Sequence, residues 1–304
     1  MLSLGLILLS AIIFPGIISL TKAKMSGRKG NSLLQPMKDI VRLMRKGSIY
    51  STTTSWVFQF APTIYLVSIL GAMLMIPFPN GSEGLISFKG DFLLFAYLLG
   101  FGKFLMIVAA LDTGSGFEGM GANREALYSM LVEPAFFILI ASLTFLSGFT
   151  SFHEMFTHYH LDSYAALLYA GLAIYVVIQI TMIENSRMPV DDPKTHLELT
   201  MVHEVMVLDN SGFDLGLIQI GSALKFTLYG GLIANLLLAP FHFSPMVATV
   251  SFFGVEVVFA IVIGLLESFR ARIKMIYNPQ YILTLSGIAI LAFFTVLIIT
   301  HKIL

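Results

Sequence analysis

Apolar stretches of about 17 to 25 residues recur along the whole chain, separated by polar connections, and each is long enough to cross a bilayer as a helix. They predict eight membrane helices at roughly 2–20, 56–77, 91–111, 134–149, 164–183, 216–240, 247–266 and 281–300. Glycine and proline inside several of them, as at Pro62 and Gly171, are tolerated where neighbouring helices or water cover the freed backbone groups. The first stretch lacks a basic leader and a small-residue cleavage site, so it is expected to be a retained helix. The expected fold is all-α, a polytopic integral membrane protein forming a single membrane domain over residues 1–304.

Composition agrees: 57% of residues are apolar, only 12% are charged, and the mean hydropathy is +0.85. That is not the balance of a soluble globule. Cysteine is absent, which excludes disulfides, thiolate metal sites and cysteine-held iron–sulfur clusters within this chain. The 18 basic and 18 acidic residues cancel, so their placement matters more than their sum. Connections one, three, five and seven hold Lys22, Lys24, Arg28, Lys29, Lys38, Arg42, Arg45, Lys46, Arg124, Arg187, Lys194, Arg270, Arg272 and Lys274. Basic loops are retained in the cytoplasm, so both termini are expected outside and these four connections inside.

The first connection carries Leu33, Leu34, Met37, Ile40, Val41 and Met44 at helical spacing, with Lys38, Arg42, Arg45 and Lys46 on the other side. This predicts an interfacial amphipathic helix at 32–46. Ser32 and Gln35 have capping-box spacing, and Pro36 suits a first turn. Its role is either anchorage to anionic headgroups or the lining of a cavity or subunit contact. Lys103, Lys225 and Glu256 fall near the middle of spans three, six and seven. Charges at that depth are costly and face protein or water, either as a lysine–glutamate pair between helices or as part of an ion path.

The third connection, read as a loop over 112–133, holds Asp112, Glu118, Arg124 and Glu125 among four glycines, and ends at Glu133 ahead of Pro134. Its glycines suggest an adaptable turn, and its GxGxxGxG run from Gly114 is no dinucleotide fingerprint without a strand before it. Glu133 is either a helix-start carboxylate or a proton carrier, and Arg124 could keep any neighbouring carboxylate ionised. The fifth connection, over 184–215, holds Glu184, Arg187, Asp191, Asp192, Glu198 and Glu204; the seventh spans 267–280. Pro189 and Pro193 break a continuous helix, after which a short one is expected to run on. His196 and His203 lie two turns apart, too far to share a metal with Glu204, and no histidine falls within a span to hold haem.

The LLQP segment at Leu33–Pro36, the GMGANRE run at Gly119–Glu125, Glu133-Pro134 and the ENSRMPVDD stretch from Glu184 resemble one family. It is the membrane subunit that complex I, the NADH:quinone oxidoreductase, shares with group 4 energy-converting nickel–iron hydrogenases and formate hydrogenlyase. The GMGANRE wording and the DPKTHLELTMVHEVM run from Asp192 resemble the hydrogenase-type branch, with Lys194 and His196 standing where the respiratory form has acids. The resemblance implies a subunit in the inner membrane of a prokaryote that carries a peripheral electron-transfer arm and couples its redox chemistry to proton or sodium translocation. It implies no redox cofactor in this chain, with the nickel–iron centre and iron–sulfur clusters in partner subunits. The partners implied are hydrogenase-like large and small subunits, an iron–sulfur protein, antiporter-like membrane subunits and lipid, but no nucleic acid. Asp112, Glu118, Arg124, Glu133, Glu184, Arg187, Asp191, Asp192, Glu198, Glu204, Lys225 and Glu256 are the coupling candidates. A stand-alone secondary transporter using Lys103, Lys225 and Glu256 at the midplane, and a passive anchor, are the alternatives.

Overall fold

The computed structural model describes residues 2–78, 84–159, 164–192, 201–241 and 243–300. In chain order the helices are α1 (Leu2–Met25), α2 (Gln35–Met44), α3 (Trp56–Met73), α4 (Asp91–Asp112), α5 (Gly116–Ser147), α6 (Phe152–Thr157), α7 (Tyr164–Glu184), α8 (His203–Met206), α9 (Gly212–Leu238), α10 (Pro245–Phe269) and α11 (Asn278–Ile299). Among the described residues, eight of them are long and apolar enough to cross a membrane, namely α1, α3, α4, α5, α7, α9, α10 and α11 with the turn before it. Their apolar residues run all round the helix and not along one stripe, as befits segments that face protein on one side and lipid on the other.

Helix α9 is the central pillar. In its most apolar window 83% of positions are buried, against 28% for α11. It packs against α1, α2, α3, α7 and α10, while α3 pairs with α4 and α11 closes on α5 and α7. Phe226 of α9 stacks on Phe14 of α1, which meets Phe259 of α10 edge-on. At the far end of the bundle, the buried Asp91 at the start of α4 accepts hydrogen bonds from the Ser151 hydroxyl (3.1 Å) and the Phe152 amide (2.8 Å), tying α4 to α6.

The third connection departs from expectation. Instead of a loop over 112–133 and a span beginning at 134, α5 runs unbroken from Gly116 to Ser147, and the turn before it is only Thr113, Gly114 and Ser115. At 1.5 Å per residue its 32 residues extend about 48 Å, well beyond a hydrocarbon core of about 30 Å. The glycines do not break it because each costs only about 1 kcal/mol relative to alanine, and one of them is required. A Cβ on Gly121 would lie 2.8 Å from the Val202 carbonyl and 3.0 Å from the Met206 amide, so α8 rests on the bare backbone of α5 at this position. Glu133 and Pro134 therefore lie within the helix and do not start it.

The amphipathic helix is present as α2, without the capping box. The Gln35 amide group donates to Asp39 within the helix (2.9 Å), and the Ser32 carbonyl accepts the Gln35 backbone N–H (3.0 Å) in a turn that feeds Pro36. Its apolar face sits on α9, where Gly216 leaves room for the sulfur of Met44, and on α1, where Gly16 admits the backbone of Leu33. Leu34 and Val41 remain exposed. Helix α9 begins at Gly212, so the fifth connection ends a turn earlier than its polarity suggests.

Candidate functional site

Four charged residues from four helices meet inside the bundle. Lys103 of α4 reaches Glu125 of α5 (2.8 Å) and Glu184 at the end of α7 (3.3 Å). Lys225 of α9 reaches the same Glu184 carboxylate (2.6 Å) and its backbone carbonyl (3.1 Å). The Ser186 hydroxyl donates to the other oxygen of Glu125 (3.3 Å). Lys103 and Glu125 each lie nine residues, roughly 14 Å, inside their helix ends, so the cluster is well within the bundle. Two cations and two anions cancel, which is how a membrane interior holds charge at bearable cost. The lysine–glutamate pairing expected from sequence is real, but its acids are Glu125 and Glu184. Glu256 is elsewhere: it is buried on α10, and neither carboxylate oxygen has a hydrogen-bond partner.

Three spaces border the cluster. A void of about 10 Å³, near the lower limit for one water, is lined by Tyr65, His203, Met206 and the four charged residues. His203 also lines a basin of about 440 Å³ at the basic end, between α1, α2 and α9, whose polar lining includes Lys22, Asp39, Arg187, Glu204 and Gln219. On the other side a mostly apolar cleft of about 380 Å³ opens between α4 and α5. Lys103, Glu184 and Tyr229 line its wall together with Glu133. Glu133 is exposed, although it lies near the middle of a spanning helix.

Around the basin the loops are fastened by charge. Glu267, its side chain fully buried at the end of α10, forms ion pairs with Lys22 (2.7 Å) and Arg187 (3.4 Å), and Arg187 also stands over the Phe226 ring at 5.1 Å. Asp191 pairs with Arg272 (2.8 Å) and accepts the amides of Asp192, Val202 and His203, tying Asp191 to the start of α8. Among the described residues Arg124 pairs with no carboxylate; it donates to the Met201 carbonyl (3.0 Å). Glu118 accepts the Asp209 amide (2.9 Å) and Asp112 accepts the Ser55 amide at the start of α3 (2.6 Å), so both act as anchors of chain turns. Asp192 is half-buried beside Asp191, and Glu204 faces the basin. Glu198, with Lys194 and His196, lies outside the described residues.

Sequence reasoning thus found Glu184 and Lys225 but left Glu125 as a loop acid and Lys103 outside the coupling set, and read Glu267 and Arg272 only as part of a charged connection. Burial pushes the Asp191 carboxyl above the usual carboxylate range, and the His203 amide and Arg272, which act the other way, do not offset it. A folded loop that binds this proton more tightly than the opened loop is favoured at low pH and loses that contribution as pH rises from about 4 through the folded value. Protection of the Val202 and His203 amides against hydrogen exchange, corrected for intrinsic rate, is expected to fall with rising pH in the parent. It should be flat in D191N, and fall over a window extending to higher pH in R272M, which lacks the opposing cation. Identical profiles in parent and D191N would exclude Asp191 as the titrating group.

Eight helices long and apolar enough to span a bilayer, around a neutral, buried cluster of ionisable side chains, define a polytopic integral membrane protein. The sequence pattern of the NADH dehydrogenase family matches residues 1–299, and the chain belongs to that family. It is 26% identical to formate hydrogenlyase subunit 4 of Escherichia coli (strain K12), over 94% of both chains. It is 28% identical to hydrogenase-4 component C of the same organism, over 77% of this chain and 72% of that one. A subunit of the NADH-quinone oxidoreductase of Methylococcus capsulatus is 24% identical over 59% of this chain and 55% of its own. A chain in the structure of the membrane-bound sulfane sulfur reductase, an archaeal respiratory membrane complex, shares the fold with a TM-score of 0.81 at 18% identity, covering 96% of this chain and 97% of that one. The resemblance read from Gly119–Glu125 and Glu184 onward is therefore a family relationship.

Proposed function

We propose that this chain is the membrane-anchor and coupling subunit of an energy-converting hydrogenase or complex I-like assembly, with its basic end on the cytoplasmic face of a prokaryotic inner membrane. The basin end docks hydrogenase-like large and small subunits and an iron–sulfur protein, which carry the nickel–iron and iron–sulfur chemistry; this chain contributes none of its own. Antiporter-like subunits lie beside it in the membrane. The observation that carries this reading is the run of ionisable groups from basin to cleft: Arg187, Glu204 and His203, then Lys103, Glu125, Glu184 and Lys225, then Glu133. The basin and the void share His203, and the void and the cleft share Lys103 and Glu184. Groups so placed shift one another's proton affinity, so a change of charge or position at the basin alters proton occupancy further in.

Glu133 supports the lateral half of the route. A carboxylate exposed near mid-span is expensive against lipid, so in the assembly a neighbouring subunit covers the α4–α5 cleft and receives the signal there. The passive-anchor reading draws on the neutrality of the cluster, which needs no ion movement to be stable. The two separate in E133Q, reconstituted in liposomes as the whole complex: coupling predicts normal assembly and electron transfer with ion translocation per electron reduced about 100-fold or more, the order a positioned proton-transfer group contributes. Translocation at the parent rate would leave the anchor reading standing.

A further inference from the structure

The buried face of α10 runs through Ala248, Phe252, Glu256, Phe259, Ala260, Ile263 and Gly264 at helical spacing, before the ion-paired Glu267 at its end. Six of these are apolar or small; the acid sits in the middle of them, between two phenylalanines. Glu256 is 1% exposed, and among the described residues neither of its oxygens has a hydrogen-bond partner. Its carboxyl is packed against Gly230 of α9 so closely that a Cβ there would overlap it. Gly230 follows Lys225 by five residues, about 140° round the helix, so this contact lies on the side of α9 away from the four-charge cluster. Of the cations on the helices that pack against α10, Lys22 of α1 pairs with Glu267 and Lys225 of α9 with Glu184, while Lys24 is exposed in the last turn of α1. Of the other titratable groups on α9, Tyr229 lines the opposite cleft, and Asp214 lies at the basic end of the helix.

An ionised carboxylate in such a place would have neither hydrogen bonds nor a counter-charge, the arrangement proteins avoid most strictly. A hard metal cation would need several oxygen ligands, whereas the carboxyl packs on the bare backbone carbon of Gly230 and stands between Phe252 and Phe259 on its own buried helix face. A proton needs one oxygen and no further space. We propose that Glu256 is a proton-binding site that seals the contact between α9 and α10: as the neutral acid it packs against Gly230, and on losing its proton it must take up water, which parts the two helices. This site is separate from the cluster and does not depend on the coupling reading above.

Infrared difference spectra and hydrogen exchange on the intact complex in its native membrane test it. In the parent the carbonyl band of a protonated carboxyl is expected near neutral pH, lost in E256Q and E256L but kept in E133Q. Raising the pH should remove that band and raise amide exchange around residues 252–260 together, and neither variant should show the pH-dependent rise. E256L, an apolar replacement, guards against misfolding of the amide variant and is expected to assemble in parent yield. The proposal is overturned if the neutral-pH carboxyl bands of parent and both variants coincide, or if exchange around 252–260 in the parent does not change with pH up to the limit at which the complex stays assembled.

Discussion

Substituting Glu184 by alanine is expected to prevent accumulation of the assembled chain, whereas adding Lys225→Met to it restores most of the loss. Glu184 is the hub of the internal cluster: its one carboxylate serves Lys103 at 3.3 Å and Lys225 at 2.6 Å. Removing it leaves two ammonium groups with only Glu125 between them, and an uncompensated buried charge costs about 3–5 kcal/mol. Replacing Lys225 by methionine, of similar length and no charge, leaves Lys103 paired with Glu125 at 2.8 Å, a neutral cluster again. Yields of folded complex for E184A, K225M and the double variant form a thermodynamic cycle, in which the double variant should be more stable than E184A alone. Additive losses would mean that the two side chains do not depend on one another, and the cluster would lose its place as a coupled unit.

The sequence made part of this arrangement visible for a simple reason. A lysine inside an apolar stretch stands out whatever it touches, so Lys103 and Lys225 could be recognised as internal charges. Which acid meets them could not, because that depends on how each helix is rotated about its axis, and linear spacing does not report rotation between helices. Glu256 is as deep as the lysines and faces away from them. Glu125 was hidden for a different reason: four glycines nearby suggested a loop. Yet Glu118, Gly121, Ala122, Glu125, Tyr128 and Val132 are all buried along one side of α5, and their three- and four-residue spacing was in the sequence to be read as a helix. Arg124 shows the remaining limit. Its partner is a backbone carbonyl 77 residues away, and every residue has one. The number of spans needed none of this, since length and hydropathy alone set it, whereas the start of the fourth was hidden with Glu125.

Gly119 and Gly121, two residues apart in the same helix, are expected to respond to alanine in opposite directions. At Gly119 an added Cβ would meet only the Leu111 side chain at 3.9 Å, an ordinary contact. G119A should therefore be neutral or gain up to about 1 kcal/mol from the better helix former. At Gly121 the same atom would press on the backbone of Val202 and Met206 at 2.8 and 3.0 Å, and backbone held in α8 cannot swing aside as a side-chain tip can. Overpacking of this kind costs about 1–3 kcal/mol. The strain falls on the segment that also carries the Arg124 bond to Met201 and the Asp191 bonds to Val202 and His203. G121A should thus loosen the fifth connection, seen as faster proteolysis there, while the spans, packed farther along the helices, remain assembled. A flexible glycine-rich turn over 112–133 would make the two variants behave alike. Opposite outcomes at Gly119 and Gly121 are what a rigid helix requires, with α8 seated on the bare backbone at Gly121.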